Sequence, residues 1–371
     1  PVEPNLLWAG SELGLWVWLD RGANWQQFAH GITAVPERSL VRLRRDHDLV
    51  VGTFGRALYV IDDIRPLREL AASRGVLAAG LHLFEPPHGW VRRTRAVDGY
   101  HFSGASLFKG ETRAPGILIS YGVAPGERVE GAESTGEAGA VRVEILDDDG
   151  QVLRTLSGSG APGVHRVAWD LRETLPSVEG DEAAGARFGP TGPEVVPATY
   201  RVRAIQGSDT TALHAVEVLP DPRVEVSMMD RVARRALIDE GLRLTRQWTL
   251  LQRRTEAVRE AVDEVRELLR SQPDEVREPL EEAGDAVLDA LAEDVDLEAA
   301  ARYRRVVFGL QSSWDAPGEG ERLAVERMDA ALATAIEGVN ALLEGAFADF
   351  RRQVSEARFD LVPEVEPIVR R

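Results

Sequence analysis

Asp20, Gly22 and Trp25 stand in the spacing D-x-G-x-x-W, which suits a tight hairpin better than a reaction centre. The carboxylate can accept from N–H groups of the turn, the glycine takes a φ that other residues resist, and the indole covers the hairpin base. Read as chemistry, Asp20 would be a catalytic acid; an aspartate beside a glycine is first a turn former, and that reading is preferred. Asp62-Asp63 closes an apolar run and offers either an acid/base or cation pair or, the preferred reading, strand-end turn chemistry. Asp147-Asp148-Asp149-Gly150 offers Asp147 and Asp149 as calcium ligands. A full calcium loop needs more oxygen donors at set positions, so a plain turn is favoured. The seven histidines, His30, His47, His82, His88, His101, His165 and His214, show no H-x-x-x-H or similar metal spacing. No nucleophile elbow, P-loop or G-x-G-x-x-G occurs. With 61 Asp and Glu, paired acids for glycoside hydrolysis can arise by chance. No catalytic residue and no cofactor is therefore assigned.

The elements that would position these residues fall into blocks. A chain of 371 residues is too long for one ordinary core, and roughly two to three domains are expected. In residues 1–65 the apolar runs Leu6–Ala9, Leu13–Leu19, Trp25–Phe28, Leu40–Leu43, Leu49–Thr53 and Ala57–Ile61 alternate with glycines, the pattern of short strands. Residues 66–112 read as a connector with a short helix over Leu67–Leu81, a break at Pro86-Pro87 and a basic cluster of Arg92, Arg93 and Arg95. Residues 113–222 read as a β-sandwich with strands at Ile117–Tyr121, Val141–Leu146, Val152–Leu156, Gly163–Trp169, Thr199–Ile205 and Leu213–Val218; 122–140 and 176–195 read as loops.

Residues 226–355 carry helical periodicity. Ser227 can cap a first helix that Gln272-Pro273 ends, and Leu244, Trp248, Leu251, Thr255, Val258, Val262, Val265 and Leu269 form a heptad seam. Helices at about 275–293 and 297–313 follow, and a last one at about 320–354 aligns Met328, Leu332, Val339, Leu343, Phe347 and Phe350. An antiparallel long-helix bundle is expected, with the seam inside the chain's own core. Residues 356–371 are a tail.

Net charge is -17. That argues against nucleic acid and against an anionic membrane surface, which need basic surface to release or attract counterions. Lys109 is the only lysine among 44 basic residues, which fits a GC-rich genome or salt adaptation, the genome being favoured. With no cysteine, disulfides and thiolate sites are excluded. No run of 18 apolar residues exists, and no membrane span is expected. Pro1 opens directly into strand-like sequence, so the natural N-terminus and any export signal are expected to lie outside the chain.

Asn5 to Leu15, the Asp20 motif, and Asp48-Leu49-Val50-Val51-Gly52-Thr53-Phe54-Gly55-Arg56 running on through Leu58 to Ile64 resemble the bacterial BNR/Asp-box repeat proteins. These are related to sortilin's propeller and carry a glycosyl hydrolase label by similarity to xyloglucanases and sialidases. The match departs from the usual Asp-box at Trp18, where Ser or Thr is the rule. The resemblance implies a multidomain β plus α chain: the last one to two blades of a β-propeller, an immunoglobulin- or fibronectin-like sandwich, and a helical tail. In xyloglucanases the catalytic carboxylates lie on earlier blades, so none is carried over. The expected function is a non-catalytic C-terminal region of an exported protein, for scaffolding or for protein or polysaccharide binding, with the rest of the propeller as a partner. The alternative is the accessory tail of a glycoside hydrolase. Residues 1–65 are expected to fray or to dock on the sandwich.

Overall fold

Among the described residues, alternation and short apolar runs produce five sheets, and helical periodicity produces a bundle. The computed structural model describes residues 2–73, 75–92, 113–124, 139–175, 191–294 and 299–357. It is a mixed β plus α protein with curled sheets, one of them a half-barrel, plus helices. The chain divides into two compact units, the first comprising Pro1–Thr174 and Glu194–Val224, the second Leu175–Pro193 and Glu225–Arg371.

The first unit opens with two antiparallel three-stranded sheets. One comprises β1 (Leu7–Ser11), β2 (Gly14–Trp18) and β3 (Gln26–Gln27); the other comprises β4 (Glu37–Arg42), β5 (Leu49–Thr53) and β6 (Leu58–Ile61). Leu15 and Trp8 of the first sheet meet Leu49, Val51, Leu40 and Tyr59 of the second in one apolar core. Helix α1 (Arg65–Ala72) covers Val17 and Leu6 with Ala71 and Leu67. A 3₁₀ turn, Val76–Ala79, leads on.

The remaining strands are β7 (Leu81–Leu83), β8 (Gly89–Val91), β9 (Ile117–Val123), β10 (Val141–Leu146), β11 (Val152–Gly158), β12 (Gly163–Trp169), β13 (Arg172–Thr174), β14 (Thr191–Glu194), β15 (Ala198–Gln206), β16 (Asp209–Thr210) and β17 (His214–Pro220). They form a sheet of order β11-β10-β15-β17-β8 with β16 on β15, a sheet of order β12-β9-β7, and the pair β13-β14. Val141, Val143 and Ile145 of β10 are fully buried while Arg142 between them is exposed, the period of two that a one-sided sheet requires. Trp169 is fully buried against Tyr200, ring centroids 5.5 Å apart, and its indole N–H donates to Arg172 O at 3.1 Å.

The stretch 66–112, expected as a connector, supplies α1 and the sheet strands β7 and β8. Three-residue strands are too short to show alternation. Gly89 opens β8 because a Cβ there would come within 2.3 Å of Ile117 Cγ1. Arg92 is described; Arg93 and Arg95 lie outside the described residues. The expected run Trp25–Phe28 pairs only at Gln26 and Gln27, since Trp25 turns onto Trp16 and Trp18. Thr191–Glu194, read as loop, pairs with β13.

The second unit holds α2 (Met228–Leu269), α3 (Asp274–Asp294), α4 (Ala299–Gln311), α5 (Glu319–Glu344) and α6 (Ala346–Glu356). Ser227 caps α2, its Oγ accepting from Asp230 N at 3.1 Å. Gly284 faces Val262 and Arg266 meets Asp285, so α3 returns antiparallel along α2. Gly241 faces Val307 and Arg234 meets Leu310 O, so α4 continues that descent. Arg234 and Arg243 reach Glu321 and Asp329, so α5 runs parallel to α2. The result is a three-column up, down, up bundle. The expected last helix breaks at Gly345, where φ is −98° and ψ −104°. By length and composition alone Glu319–Glu356 could cross a membrane; here Val325, Met328, Leu332 and Val339 line the bundle core. Each such fully buried side chain contributes about 1.5–3 kcal/mol.

Candidate functional site

Leu49 pairs with Ile61, which brings Asp48 to the side of Asp62 and Asp63 where β5 begins and β6 ends. Asp48 is buried and its Oδ1 accepts from Asp63 N at 2.9 Å. Asp63 takes a left-handed φ of 41°. Its buried carboxylate accepts from Arg65 Nε at 2.7 Å, Nη2 at 2.9 Å and the backbone N at 3.2 Å. Strand register supplies the other half. Arg166 of β12 lies opposite Ser120 of β9 and donates to its Oγ at 3.1 Å. The two terminal nitrogens of Arg166 donate to the backbone carbonyls of Asp62 and Asp63. Arg113 Nη1 stands 3.4 Å from Asp62 Oδ1. Burial raises the Asp62 pKa against the pull of Arg113.

A hydrolytic acid pair needs two carboxylates open to one substrate. Asp63 is instead closed by Arg65, so the pair works as a clasp between the β4–β6 sheet and the β12-β9-β7 sheet. Residues 1–65 are docked through it, within one compact unit.

His47, also left-handed at φ 61°, packs beside the same cluster, and its Nδ1 is 3.0 Å from Arg68 Nη1. Burial lowers its pKa, and Arg65, Arg68 and Arg42 add to this while Asp63 opposes. A histidine held neutral in the fold is protonated first in the unfolded chain, near its ordinary value of about 6.5. Stability of the first unit should therefore fall as pH drops below that value and level off once folded His47 titrates, with no contribution above about pH 7. His47→Asn, which tolerates the left-handed backbone, should flatten this dependence in urea unfolding between pH 7 and 5. An unchanged slope would assign it elsewhere.

Beside α1 lies a cleft of about 330 Å³ with Arg65, Pro66, Arg68 and Phe84 on its wall. Elsewhere in the same unit, Glu37 on β4 has both carboxylate oxygens enclosed without a hydrogen-bond partner, and burial raises its pKa. Neither Glu37 nor Arg68 stood out in the sequence, because a lone charged residue in a strand or helix signals nothing until its neighbours are known.

The outer face of β4–β6 exposes several apolar side chains. Register places Val41, Val50 and Val60 in one row, with Leu58 across from Gly52 in the next. Val41, Leu58 and Val60 are 54%, 68% and 52% exposed. Phe54, following β5, is also exposed, with the Arg38 guanidinium 5.2 Å from its ring centre. A sheet with one face in water normally alternates apolar with polar; this one is apolar on both faces.

In the Asp20 turn, the carboxylate accepts from Asn24 N at 3.0 Å and Asn24 Nδ2 at 2.6 Å, and Gly22 has φ 93°. Trp25 shields Trp18 but is itself 57% exposed. Asp147 Oδ1 accepts from Gln151 N at 2.8 Å and Gly150 has φ 82°, a capped hairpin between β10 and β11. Asp148 stands 3.6 Å from Arg201. Among the described residues, no group of three or more His, Asp or Glu could hold a metal ion, so Asp147 and Asp149 gain no further ligands.

No family model, no curated protein and no solved structure matches this chain.

Proposed function

We propose that this chain is a non-catalytic docking and scaffolding region of an exported protein. In this reading the β1–β6 sheets are the closing blades of a β-propeller whose other blades cover the outer face of β4–β6. The observation that carries the reading is that face: a sheet apolar on both sides is an inner layer, and its row of Val41, Val50 and Val60 awaits a protein partner. The capped Asp20 turn agrees with a peripheral blade hairpin. The following sheets are read as an immunoglobulin- or fibronectin-like sandwich. The buried Trp169 and the Tyr200 hydroxyl, which donates to Val196 O four residues upstream at 2.6 Å, favour that assignment.

Leu58→Glu with Val60→Lys tests the docking surface. Both side chains are exposed, so stability of the chain alone should change by less than about 1 kcal/mol. Dye binding to exposed apolar surface should fall, and association with the preceding part of the parent protein should be lost. Retained association would refute the assignment of this face. A polysaccharide hydrolysis screen, run on this chain and on the longer protein, separates docking from the glycosidase alternative. Hydrolysis confined to the longer protein would make this chain an enzyme's accessory tail.

A further inference from the structure

β6 is the last strand of its sheet, and among the described residues no strand pairs with its far side. One contact fixes its hydrogen-bonding phase. Thr53 N donates to Ala57 O at 3.0 Å, so the pairs that exchange bonds between β5 and β6 are Val51 with Tyr59 and Leu49 with Ile61. The β4 side agrees. Leu43 N donates to Asp48 O at 2.9 Å, which gives Val50 and Gly52 to β4 and leaves Leu49, Val51 and Thr53 for β6. The N–H and C=O groups of Leu58 and Val60 therefore point away from β5, toward the open edge.

Open edges are normally protected by charge, by proline or by a covering segment. β4, the opposite edge, carries Glu37, Arg38 and Arg42. β6 reads Leu-Tyr-Val-Ile, with no charge and no proline, and the side chains of Leu58 and Val60 are exposed. Its two outward-bonding residues flank Tyr59, so a twofold axis at Tyr59 sets the donors of one β6 against the acceptors of another. Leu58 then lies opposite the partner's Val60. Tyr59 meets the partner's Tyr59 in the closer, non-bonded kind of pair, where aromatic side chains favour one another. Arg56 precedes β6 and Asp62 follows it. Antiparallel pairing thus sets base toward acid at each end, where parallel pairing would set like charges together. We propose that two copies of this chain join at β6 by antiparallel strand addition, making one continuous sheet. The contact uses backbone groups at the edge and leaves the outer face of β4–β6 uncovered, so it stands or falls apart from the docking of that face.

Sedimentation equilibrium of the whole chain between about 1 and 300 μM should show its mass rising from one copy to two. Val60→Pro removes an N–H that β5 does not use and keeps the side chain apolar. The fold should therefore stand while the dimer weakens by about tenfold or more. Amide exchange gives a second reading that needs no variant. The Leu58 and Val60 amides, open in the monomer, should slow as concentration rises, while the Tyr59 amide, already bonded to β5, should hardly change. A chain that stays monomeric to about 300 μM, wild-type affinity in a folded Val60→Pro, or Leu58 and Val60 amides that exchange alike at both ends of the range would overturn the assignment. Slowing of those amides only when the preceding part of the parent protein is added would overturn it too, giving the edge to that segment.

Discussion

Arg234→Met should lower the unfolding free energy of the helical bundle by about 3 kcal/mol, the low end of the range for breaking a buried ion pair. Arg234 is buried on α2 where three chain segments converge. It donates to Leu310 O at 3.1 Å near the end of α4, to the carbonyls of Asp315 and Ala316 in the turn before α5, and to both oxygens of Glu321 at 3.0 and 2.9 Å. Glu321 in turn accepts from Gly318 N at 2.8 Å, fixing the start of α5. Methionine keeps the volume but leaves several acceptors and one carboxylate unpaired. The loss stays near the low end because Glu321 is partly open to water.

The same pair gives an acid limb. Burial alone would raise the Glu321 carboxyl, but Arg234 and the Gly318 N–H outweigh it and hold its pKa below the usual range. A depressed carboxyl contributes stability in full above its unfolded value, about 4.3, and loses it as pH falls through the folded value. Arg234→Met should therefore also weaken the acid dependence below about pH 4. Urea unfolding that shows a loss under about 1 kcal/mol would mean that the arginine's desolvation cancels its bonds.

The α2 seam was legible because its period is enforced by burial: of Leu244, Trp248, Leu251, Thr255, Val258, Val262, Val265 and Leu269, only Val265 is partly exposed. Ser227 was legible because capping is local. The break at Gly345 was not, since a glycine inside a periodic run weakens a helix without fixing where it bends. The two arginines that tie segments together, Arg166 and Arg234, bond mainly to backbone carbonyls distant in sequence, and no side-chain pattern encodes a carbonyl. Asp62 and Asp63 were read as an acid/base or cation pair or, in preference, as strand-end turn chemistry; Asp63 has a left-handed backbone and its carboxylate is held by Arg65 two residues on. The outer face of β4–β6 was in the sequence as Val41, Leu58 and Val60, but which side of a strand faces water is decided only by what the other side packs against.

Gly116→Ala should be among the most damaging single methyl groups that can be added to the first unit. Gly116 precedes β9, has φ 92°, and a Cβ there would stand 1.9 Å from Trp169 O and 2.8 Å from Trp169 C. Left-handed backbone costs alanine about 1–2 kcal/mol, and overpacking adds about 1–3 kcal/mol. The clash is with backbone, so no side chain can swing aside. The strands must part instead, at the point where Trp169 pairs with Ile117. That displacement passes along the β9–β12 pair to Ser120 and Arg166, and so to the carbonyls of Asp62 and Asp63 that hold the first two sheets. Gly150→Ala is the matched control: its φ of 82° is similar, but a Cβ there meets nothing within 4 Å. In urea unfolding Gly150→Ala should lose about 1–2 kcal/mol, and Gly116→Ala about 2–5 kcal/mol, the larger loss of the two, or its soluble fold altogether. Limited proteolysis of Gly116→Ala should then cut first within residues 1–64, while the helical bundle resists. Equal losses in the two variants would mean that backbone conformation alone sets the cost and that the close approach to Trp169 is relieved without disturbing the clasp.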